Sequence, residues 1–241
     1  MPRRARPRVT WVFGATLDGR VAAPDGTSRW ISSRAARVDA HRLRAAHDAV
    51  LVGSGAARID DPHLAPRHGV TGRPPLRIVL DARASIVTPA SRVSDTVAPT
   101  LVVIGPEAPD PALPPHVGVA RVPIDEDGRI GLVTLLDELA RRGVGTLLVE
   151  GGPTIAGAFL QAGLVDDVVG YVRAAVLGAG RPLLELSDVT TIGDLRPFRL
   201  VAADAIGQDV RIRMTARRAR QATTSGPASA PPKPAEERPR P

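Results

Sequence analysis

A short apolar run, residues 146–149, ends at the carboxylate of Glu150 and leads directly into Gly151, Gly152 and Pro153. The amphipathic segment that starts at Pro153 indicates a helix, so the stretch predicts strand, tight turn and helix. Glycines allow a ligand to approach the backbone closely, and the free amides at a helix start attract phosphate. The pattern predicts a phosphate or pyrophosphate site facing the same crevice as Glu150. An ordinary turn beside a solvated glutamate explains the same residues.

The amide groups predicted to meet this anion are those of Thr154, Ile155 and Ala156, with the helix dipole behind them. Two further carboxylates stand next to turn residues: Asp18 precedes a glycine, and Asp60 lies two residues before a proline. Carboxylates in such places could orient a substrate or relay a proton, but they are also common as turn and helix-end residues.

Composition limits the kinds of site that the chain can form. It has 241 residues, 43% of them hydrophobic, and no cysteine, which excludes disulfides, thiolate zinc sites and cysteine nucleophiles. The five histidines show no H-x-x-x-H spacing, so we expect no metal site. No apolar run approaches the ~20 residues that span a bilayer, and no secretory signal is present, so we expect a cytoplasmic protein without membrane contact.

The net charge of +7 lies in the two ends of the chain. Residues 1–8 and 217–241 each carry +4, which leaves residues 9–216 at −1. Only 2% of the residues are aromatic, so the body lacks both the basic face and the stacking side chains expected of a nucleic-acid module. We expect no nucleic-acid partner, a disordered basic segment over 1–8, one domain over 9–216, and a disordered tail rich in Pro, Ala and Arg over 217–241.

Strand and helix patterns alternate along the body. Strands are predicted at residues 9–17, 20–23, 48–52, 76–80, 100–104, 117–122, 146–149 and 164–176, the last broken at Gly170. Helices are predicted from Ser32 or Ser33 as N-cap to about residue 47, at 56–59, at 130–142 and after Pro153. Residues 198–205 and 210–216 predict an antiparallel hairpin. The order indicates an α/β fold: a mixed, mostly parallel sheet with helices on both faces and a C-terminal hairpin.

Three ordered stretches of the sequence resemble the C-terminal reductase domain of bacterial bifunctional riboflavin-biosynthesis proteins. They are GATLDGRVA with the following SRWIS (residues 14–22 and 28–32), LRAAHDAVLVGSGAARIDDPHL (43–64) and VEGGPTIAGAFLQAGLVD (149–166). The resemblance implies a dihydrofolate-reductase-like fold and a homodimer. It also implies NADPH-dependent reduction of the ribose of 5-amino-6-(5-phosphoribosylamino)uracil to a ribityl chain. Because the deaminase domain of that family needs cysteines to bind zinc, we expect a stand-alone reductase.

The resemblance also implies roles for particular residues. Residues 152–158 correspond to the loop that binds the NADPH pyrophosphate. Gly14 or Ala15, together with Trp30, correspond to positions beside the nicotinamide half of the cofactor, and Asp60 to a position next to both ligands. Ala56 stands where the family often has a hydroxyl residue. Trp30 is equally consistent with core packing. Asp81 and Arg83, which follow the strand at 76–80, are candidates near the adenosine ribose, where an arginine would favour NADPH over NADH.

On the substrate side, the resemblance assigns contacts to five residues: Ser28, Arg44, Leu64, Arg67 and Glu150. Two arginines suit a sugar 5′-phosphate, because a guanidinium group binds phosphate through two hydrogen bonds. Without the resemblance, Arg44 would be assigned to a solvated helix face. The cofactor carries the hydride, so the protein must supply geometry and help with a proton; Asp18 and Asp60 are the candidate catalytic carboxylates.

One position departs from the family pattern. The bacterial reductases usually carry a lysine where this chain has Val12, and the only lysine in the chain is Lys233. The resemblance therefore supports reductase chemistry more strongly than it supports one particular substrate. Two alternatives remain open: a paralogous NADPH reductase of another pterin-like or phosphorylated heterocycle, including weak dihydrofolate reduction, and a nucleotide-binding protein without catalysis.

Overall fold

Nine strands form one mixed sheet in the computed structural model, which describes residues 5–28 and 31–217. The strands are β1 (Arg8–Thr16), β3 (Ala49–Gly53), β4 (Leu76–Leu80), β5 (Thr100–Ile104), β6 (Val117–Arg121), β7 (Thr146–Val149), β8 (Asp167–Arg173), β10 (Phe198–Ile206) and β11 (Asp209–Ala216). Their spatial order is β10-β11-β8-β1-β7-β3-β4-β5-β6. All neighbours from β8 to β6 are parallel, whereas β11 is antiparallel to β8 and to β10. The predicted mostly parallel sheet with a C-terminal hairpin is confirmed.

A two-stranded ribbon and four α-helices complete the described part of the chain. The ribbon pairs β2 (Arg20–Ala22) with β9 (Arg181–Pro182). The helices are α1 (Arg34–Ala46), α2 (Ser54–Asp60), α3 (Leu132–Arg141) and α4 (Pro153–Gln161). The hydroxyl of Ser33 caps α1 by accepting a hydrogen bond from the Ala36 amide, so the predicted cap is confirmed at Ser33.

The sheet separates two hydrophobic clusters, and each cluster is closed by a different pair of helices. Leu135 and Leu139 of α3 pack with Phe159 of α4 on one face. Ala36 of α1 packs on the other face, where Ala56 of α2 is partly buried. Strands whose side chains are buried on both faces are nearly continuous apolar runs, which is why these segments were predictable from the sequence. Helices on both faces of the sheet are thereby confirmed.

The predicted break of the 164–176 segment at Gly170 is wrong. Strand β8 continues through Gly170, which pairs with Phe13 of β1 and with Ile212 of β11. A Cβ atom at Gly170 would lie 2.5 Å from the ring of Phe13. The glycine makes room for this ring and does not interrupt the strand.

Residues 1–8 were predicted to be disordered, but residues 5–8, which the structure describes, make specific contacts with the domain. Arg6 pairs with Asp166 through two hydrogen bonds of 2.7 and 2.9 Å, and Arg8, the first residue of β1, pairs with Asp167. These contacts attach the start of the chain to the end of the sheet that carries the first residues of β8. The predicted tail over 217–241 lies outside the described residues except for Arg217.

Within residues 5–28 and 31–217, no helix has the length and apolarity that crossing a membrane requires. In the same part of the chain, no three histidine or acidic side chains converge as a metal site would need.

Candidate active site

A cleft of about 1550 Å³ runs along the edge of the sheet where the parallel strands end. Residues at the ends of β1, β3, β4 and β7 form its floor, and the starts of α2 and α4 form its walls. Ligands of open α/β sheets bind in this crevice, because helix starts and strand ends leave backbone groups without partners there. Glu150, directly after β7, lines the cleft as the sequence predicted.

The entrance to α4 is open toward the cleft. The helix begins at Pro153, and no side chain caps its first turn. The first amides of a helix lack acceptors within the helix, so those of Thr154 and Ile155 are suited to an anion. A Cβ at Gly152 would meet no heavy atom within 4 Å, whereas a Cβ at Gly151 would overlap Cγ2 of Ile155. Gly151 lets the turn close against the helix, and Gly152 leaves the entrance free.

Ala156 does not take part in this entrance. Its amide donates a hydrogen bond to the carbonyl oxygen of Gly152 at 3.1 Å, and its side chain is completely buried. The prediction that this amide binds phosphate is wrong, because the helix has formed its first internal hydrogen bond at that position.

Asp81 and Arg83, predicted together near the adenosine ribose, both line the cleft. The Asp81 carboxylate is 2% exposed and accepts hydrogen bonds from the amides of Ser85, Ile86 and Val87. Its oxygens therefore hold the loop after β4, and the contact of Asp81 with a ribose stays a prediction. Arg83, on the same loop, is exposed and lines the cleft.

Gly14 and Ala15 were alternatives for the nicotinamide side. Gly14 lines the cleft, and a Cβ there would overlap the hydroxyl of Ser32. Ala15 is 1% exposed and lies outside the lining, so of the two only Gly14 faces the cleft, and its place beside the nicotinamide stays a prediction. Trp30, predicted beside the same half of the cofactor, lies outside the described residues.

Helix α2 contributes Ala56 and Asp60 to the cleft lining, as predicted. Asp60 is the last residue of the helix and is exposed. The next residue, Asp61, has a φ of 37° and directs the chain away from the helix. The turn residues that follow α2 therefore leave the Asp60 side chain facing the cleft.

Arg44 of α1 and Glu150 form a bidentate ion pair. Nε and Nη2 of Arg44 donate to the two carboxylate oxygens of Glu150, each at 2.6 Å. The side chains are 14% and 16% exposed. Burial alone would lower the pKa of Arg44, but the Glu150 carboxylate raises it above its ordinary value, so the guanidinium group stays charged. Two residues predicted to bind substrate are thus partners of each other, and only Glu150 lines the cleft.

The other predicted substrate residues are divided between the cleft and the core. Ser28 lines the cleft. The Leu64 side chain is 1% exposed, packs in the core on the α1 face and does not line the cleft. Arg67 is exposed and lies outside the lining, but its backbone amide and Nη1 of Arg44 both approach Nδ1 of His41, at 3.0 and 3.5 Å.

His41 of α1 holds the loop that carries Arg67. Its Nδ1 accepts a hydrogen bond from the Arg67 amide at 3.0 Å, and its ring meets that of His68 edge to face. Burial, and then the positive charge of Arg44, lower the pKa of His41 to about 3. The ring is neutral near neutral pH, as the hydrogen bond to Nδ1 requires.

Asp18 fastens a loop instead of facing the cleft. It accepts hydrogen bonds from the Thr16 hydroxyl at 2.7 Å and from the amides of Leu177 and Gly178 at 3.0 and 2.8 Å. These bonds, the one from Thr16 first, lower the pKa of Asp18 to about 2. The predicted catalytic role is not supported, because Asp18 lies outside the cleft lining and its oxygens are already bonded to three donors.

Two polar residues near the cleft were not predicted. The hydroxyl of Tyr171 on β8 donates to Oδ2 of Asp39 on α1 at 2.8 Å, and Tyr171 lines the cleft. The sequence shows that Asp39, His41 and Arg44 lie within one predicted helix. It does not show which strand this helix faces. Val12, which stands at the family's lysine position, also lines the cleft.

This architecture occurs in known proteins. Dihydrofolate reductase from Enterococcus faecalis superposes with a TM-score of 0.50 at 10% identity, over 88% of this chain and 97% of that one. The fold and the cleft therefore define a protein of the dihydrofolate-reductase-like α/β class.

Within that class, residues 7–212 match the family model described as the RibD C-terminal domain, and the chain belongs to this family. It is 34% identical to the riboflavin biosynthesis protein RibD of Mycobacterium tuberculosis over 218 residues, 89% of this chain and 56% of that protein. The structure of a Thermotoga maritima deaminase and 5-amino-6-(5-phosphoribosylamino)uracil reductase is similar, with a TM-score of 0.75 and 28% identity over 88% of this chain and 57% of that one. This chain spans a little over half the length of these two relatives.

A relative of similar length is also known. The chain is 31% identical to a 2,5-diamino-6-ribosylamino-4(3H)-pyrimidinone 5′-phosphate reductase from Methanothermobacter thermautotrophicus over 215 residues, 87% of this chain and 98% of that protein. The resemblance to riboflavin-biosynthesis reductases predicted from the motifs is confirmed.

The neutral state of His41 predicts how stability depends on pH. Its pKa is about 3 in the folded protein against an ordinary 6.5, so below pH 6.5 the unfolded chain binds a proton that the folded protein does not. The contribution of neutral His41 to the free energy of unfolding is fully present above pH 6.5. It is lost as the pH falls toward 3, at up to about 1.4 kcal/mol per pH unit.

Urea unfolding of the wild type and of His41→Gln between pH 4 and 7.5 measures this loss. Glutamine can still accept the Arg67 amide but cannot titrate, so the variant should lose less stability than the wild type between pH 6.5 and 4. The difference between the two proteins at pH 7.5 serves as the reference for the altered contacts. Parallel curves over the whole range would contradict the assignment.

Proposed function

We propose that this protein is an NADPH-dependent reductase of riboflavin biosynthesis that converts the ribose of 5-amino-6-(5-phosphoribosylamino)uracil to a ribityl chain. Membership of the RibD C-terminal domain family supports the reaction class, and the Thermotoga maritima relative is named for this substrate. The observation that carries the proposal is the α4 entrance, where Gly152 leaves space and the first helix amides are uncapped. A cytoplasmic location is part of the proposal and can be tested by fractionating cells that express the chain.

The residues of the cleft fit a dinucleotide phosphate. The cofactor, when bound, supplies the hydride. The amides of Thr154 and Ile155 would hold its diphosphate, because they combine free donors with the positive end of the helix dipole. Arg83 lies further along the cleft on the loop after β4, where a guanidinium group can bind a 2′-phosphate. Gly14 also lines the cleft and lies on β1, on the other side of β7 from β4.

The sugar also needs a proton from the protein side. Reduction requires the C1′–O4′ bond of the ribose to open, so that C1′ can accept the hydride and O4′ can take up a proton. One hydride and one proton are added in total, so the atoms and charges balance. Asp60 is our candidate for placing this proton, because it lines the cleft and forms no hydrogen bond or ion pair within the described part of the chain. Asp18 is occupied by three donors and is left out of this role.

A second candidate substrate is the 2,5-diamino-6-ribosylamino-pyrimidinone 5′-phosphate, the compound that carries an amino group where the uracil has an oxo group. The match to the Methanothermobacter reductase over 98% of that protein favours it, since that relative resembles this chain in length. Val12, at the usual lysine position, is a further reason to test both compounds.

Steady-state assays of the purified protein with NADPH and each pyrimidine test the proposal. We expect loss of the nicotinamide absorbance with at least one pyrimidine, and a fall in kcat of at least tenfold in Asp60→Asn with NADPH affinity retained. Turnover with dihydrofolate alone would instead identify a paralogous reductase. Cofactor binding without turnover of any of the three compounds would identify a non-catalytic nucleotide-binding protein.

Gly152→Val should weaken NADPH binding at least tenfold, because its side chain would occupy the space at the α4 entrance. The backbone at Gly152 has φ −67° and ψ −179°, which any residue adopts, so the melting temperature should stay near that of the wild type. Titration calorimetry with NADPH and thermal denaturation measure the two effects.

Gly151→Ala is the matched control for this prediction. Its Cβ would overlap Ile155, so it should cost about 1–3 kcal/mol of stability. Unchanged NADPH affinity in Gly152→Val would remove the entrance from the cofactor site.

Arg83→Ala should raise the KM for NADPH about tenfold and leave the KM for NADH within twofold, because only NADPH carries the 2′-phosphate that the guanidinium group would bind. Arg199→Ala, an exposed arginine on β10 outside the cleft, is the control and should change neither value. An equal change of both KM values in Arg83→Ala would show that this residue does not read the 2′-phosphate.

We also propose that the protein is a homodimer. The outer edge of β10 is unpaired in the described sheet, and Leu200 and Val201 on this strand are 60% and 50% exposed. Edges of this kind associate readily with a second strand. Light scattering should give twice the chain mass of 25.3 kDa; a monomer at micromolar concentration would contradict the dimer.

A further inference from the structure

Tyr171 occupies a prepared position in the wall of the cleft. It stands on β8 opposite Gly14 of β1 and is 3% exposed. Its hydroxyl donates to Oδ2 of Asp39 at 2.8 Å, and Nη1 of Arg211 on β11 donates to the same oxygen at 2.9 Å. Asp39 is itself only 8% exposed. Residues from α1, β8 and β11 therefore fix both the ring and the direction of the hydroxyl hydrogen.

The hydroxyl group of Tyr171 cannot act as the acid of the reaction. Burial, followed by the hydrogen bond to Asp39 and its charge, raises the pKa of Tyr171 far above its ordinary value. The carboxylate of Glu150 acts in the same direction. The group therefore stays protonated at any pH the protein meets. Since its hydrogen is directed at Asp39, the capacity that remains on the phenol oxygen is that of a hydrogen-bond acceptor.

Glu150 provides a second acceptor on the same face of the sheet. β1 lies between β7 and β8, with Gly14 opposite Tyr171 and Val12 opposite Val169. Arg44 uses one site on each Glu150 oxygen, and a carboxylate has about four acceptor sites, so further capacity remains. This wall of the cleft therefore carries two fixed acceptors, one on each side of β1.

We propose that Tyr171, oriented by Asp39 and Arg211, is a substrate-recognition residue that accepts a hydrogen bond from an N–H or O–H group of the pyrimidine substrate. The inference rests on the proposed reductase function and names the part of the cleft that reads the substrate. Because the hydrogen of the Tyr171 hydroxyl is already bonded to Asp39, the phenol oxygen binds a hydrogen-bond donor of the ligand. It disfavours an acceptor at the same place, because two lone pairs would then face each other. The donor is an amino group of the heterocycle or a hydroxyl of the sugar.

The sole tyrosine of the chain allows a direct test that does not depend on turnover. Protein labelled with carbon-13 at Cζ of tyrosine gives one resonance, whose shift reports hydrogen bonding at the phenol oxygen. We expect this resonance to move when the ribityl product is added to the protein saturated with NADP⁺, relative to NADP⁺ alone. A product that binds by calorimetry without moving the resonance would overturn the proposal.

Kinetics of Tyr171→Phe identify the donor. Loss of one hydrogen bond should raise the KM for the pyrimidine roughly three- to tenfold and leave the KM for NADPH within twofold. A rise confined to the diaminopyrimidinone identifies the ring amino group as the donor, and an equal rise for both pyrimidines identifies a group that they share. Unchanged KM values for both would overturn the proposal.

Thr146→Val is the matched control for Tyr171→Phe. The hydroxyl of Thr146 also donates to an aspartate, Asp48, at 3.0 Å, but at the opposite end of the sheet. Its removal should lower stability without changing any KM. If the wild type reduces no pyrimidine, the proposed function fails on that ground, whereas turnover in the wild type with unchanged KM in Tyr171→Phe rejects the recognition role alone.

Discussion

The bidentate contact between Arg44 and Glu150 is the interaction on which the cleft depends. Two hydrogen bonds of 2.6 Å join α1 to the end of β7, and both side chains are mostly removed from solvent. A buried charge is costly unless its partner is present, so α1 can lie across the sheet in this position only while the pair is intact. A second contact, between Asp39 and Tyr171, joins the same helix to β8, which lies on the other side of β1 from β7. Together the two contacts form one wall of the cleft.

Several aspartates brace loops of the fold, both beside the cleft and at the opposite end of the sheet. Asp18 binds the loop after β8, and Asp81 binds three successive amides after β4. Asp166 accepts the amide of Val9 and pairs with Arg6. An ionised carboxylate that accepts several hydrogen bonds holds a loop in one conformation. This suits a reductase, because a hydride donor needs a site that fixes distances more than it needs many reactive groups.

Local patterns were enough to predict most of the fold. Strands β4, β5 and β7 were predicted with the bounds that the structure has, since each is a short apolar run between turn residues. Gly170 was misjudged, because the ring that fills its place, that of Phe13, comes from a strand more than 150 residues earlier in the chain. The side chain of Leu64 was assigned to a ligand for a similar reason: its burial depends on loops and helices that pack on it from elsewhere.

The sequence by itself determined the order of the elements, the family, and the open start of α4, because each depends on neighbouring residues or on a motif with fixed spacing. Tertiary structure alone decided which polar groups reach the cleft. Tyr171 and Asp39 are 132 residues apart, and they meet only because β8 pairs with β1 in one register while α1 presents one face to that strand. Side chains on a strand alternate between faces, so a shift of one residue would turn Tyr171 to the other side of the sheet. No local pattern contains that information.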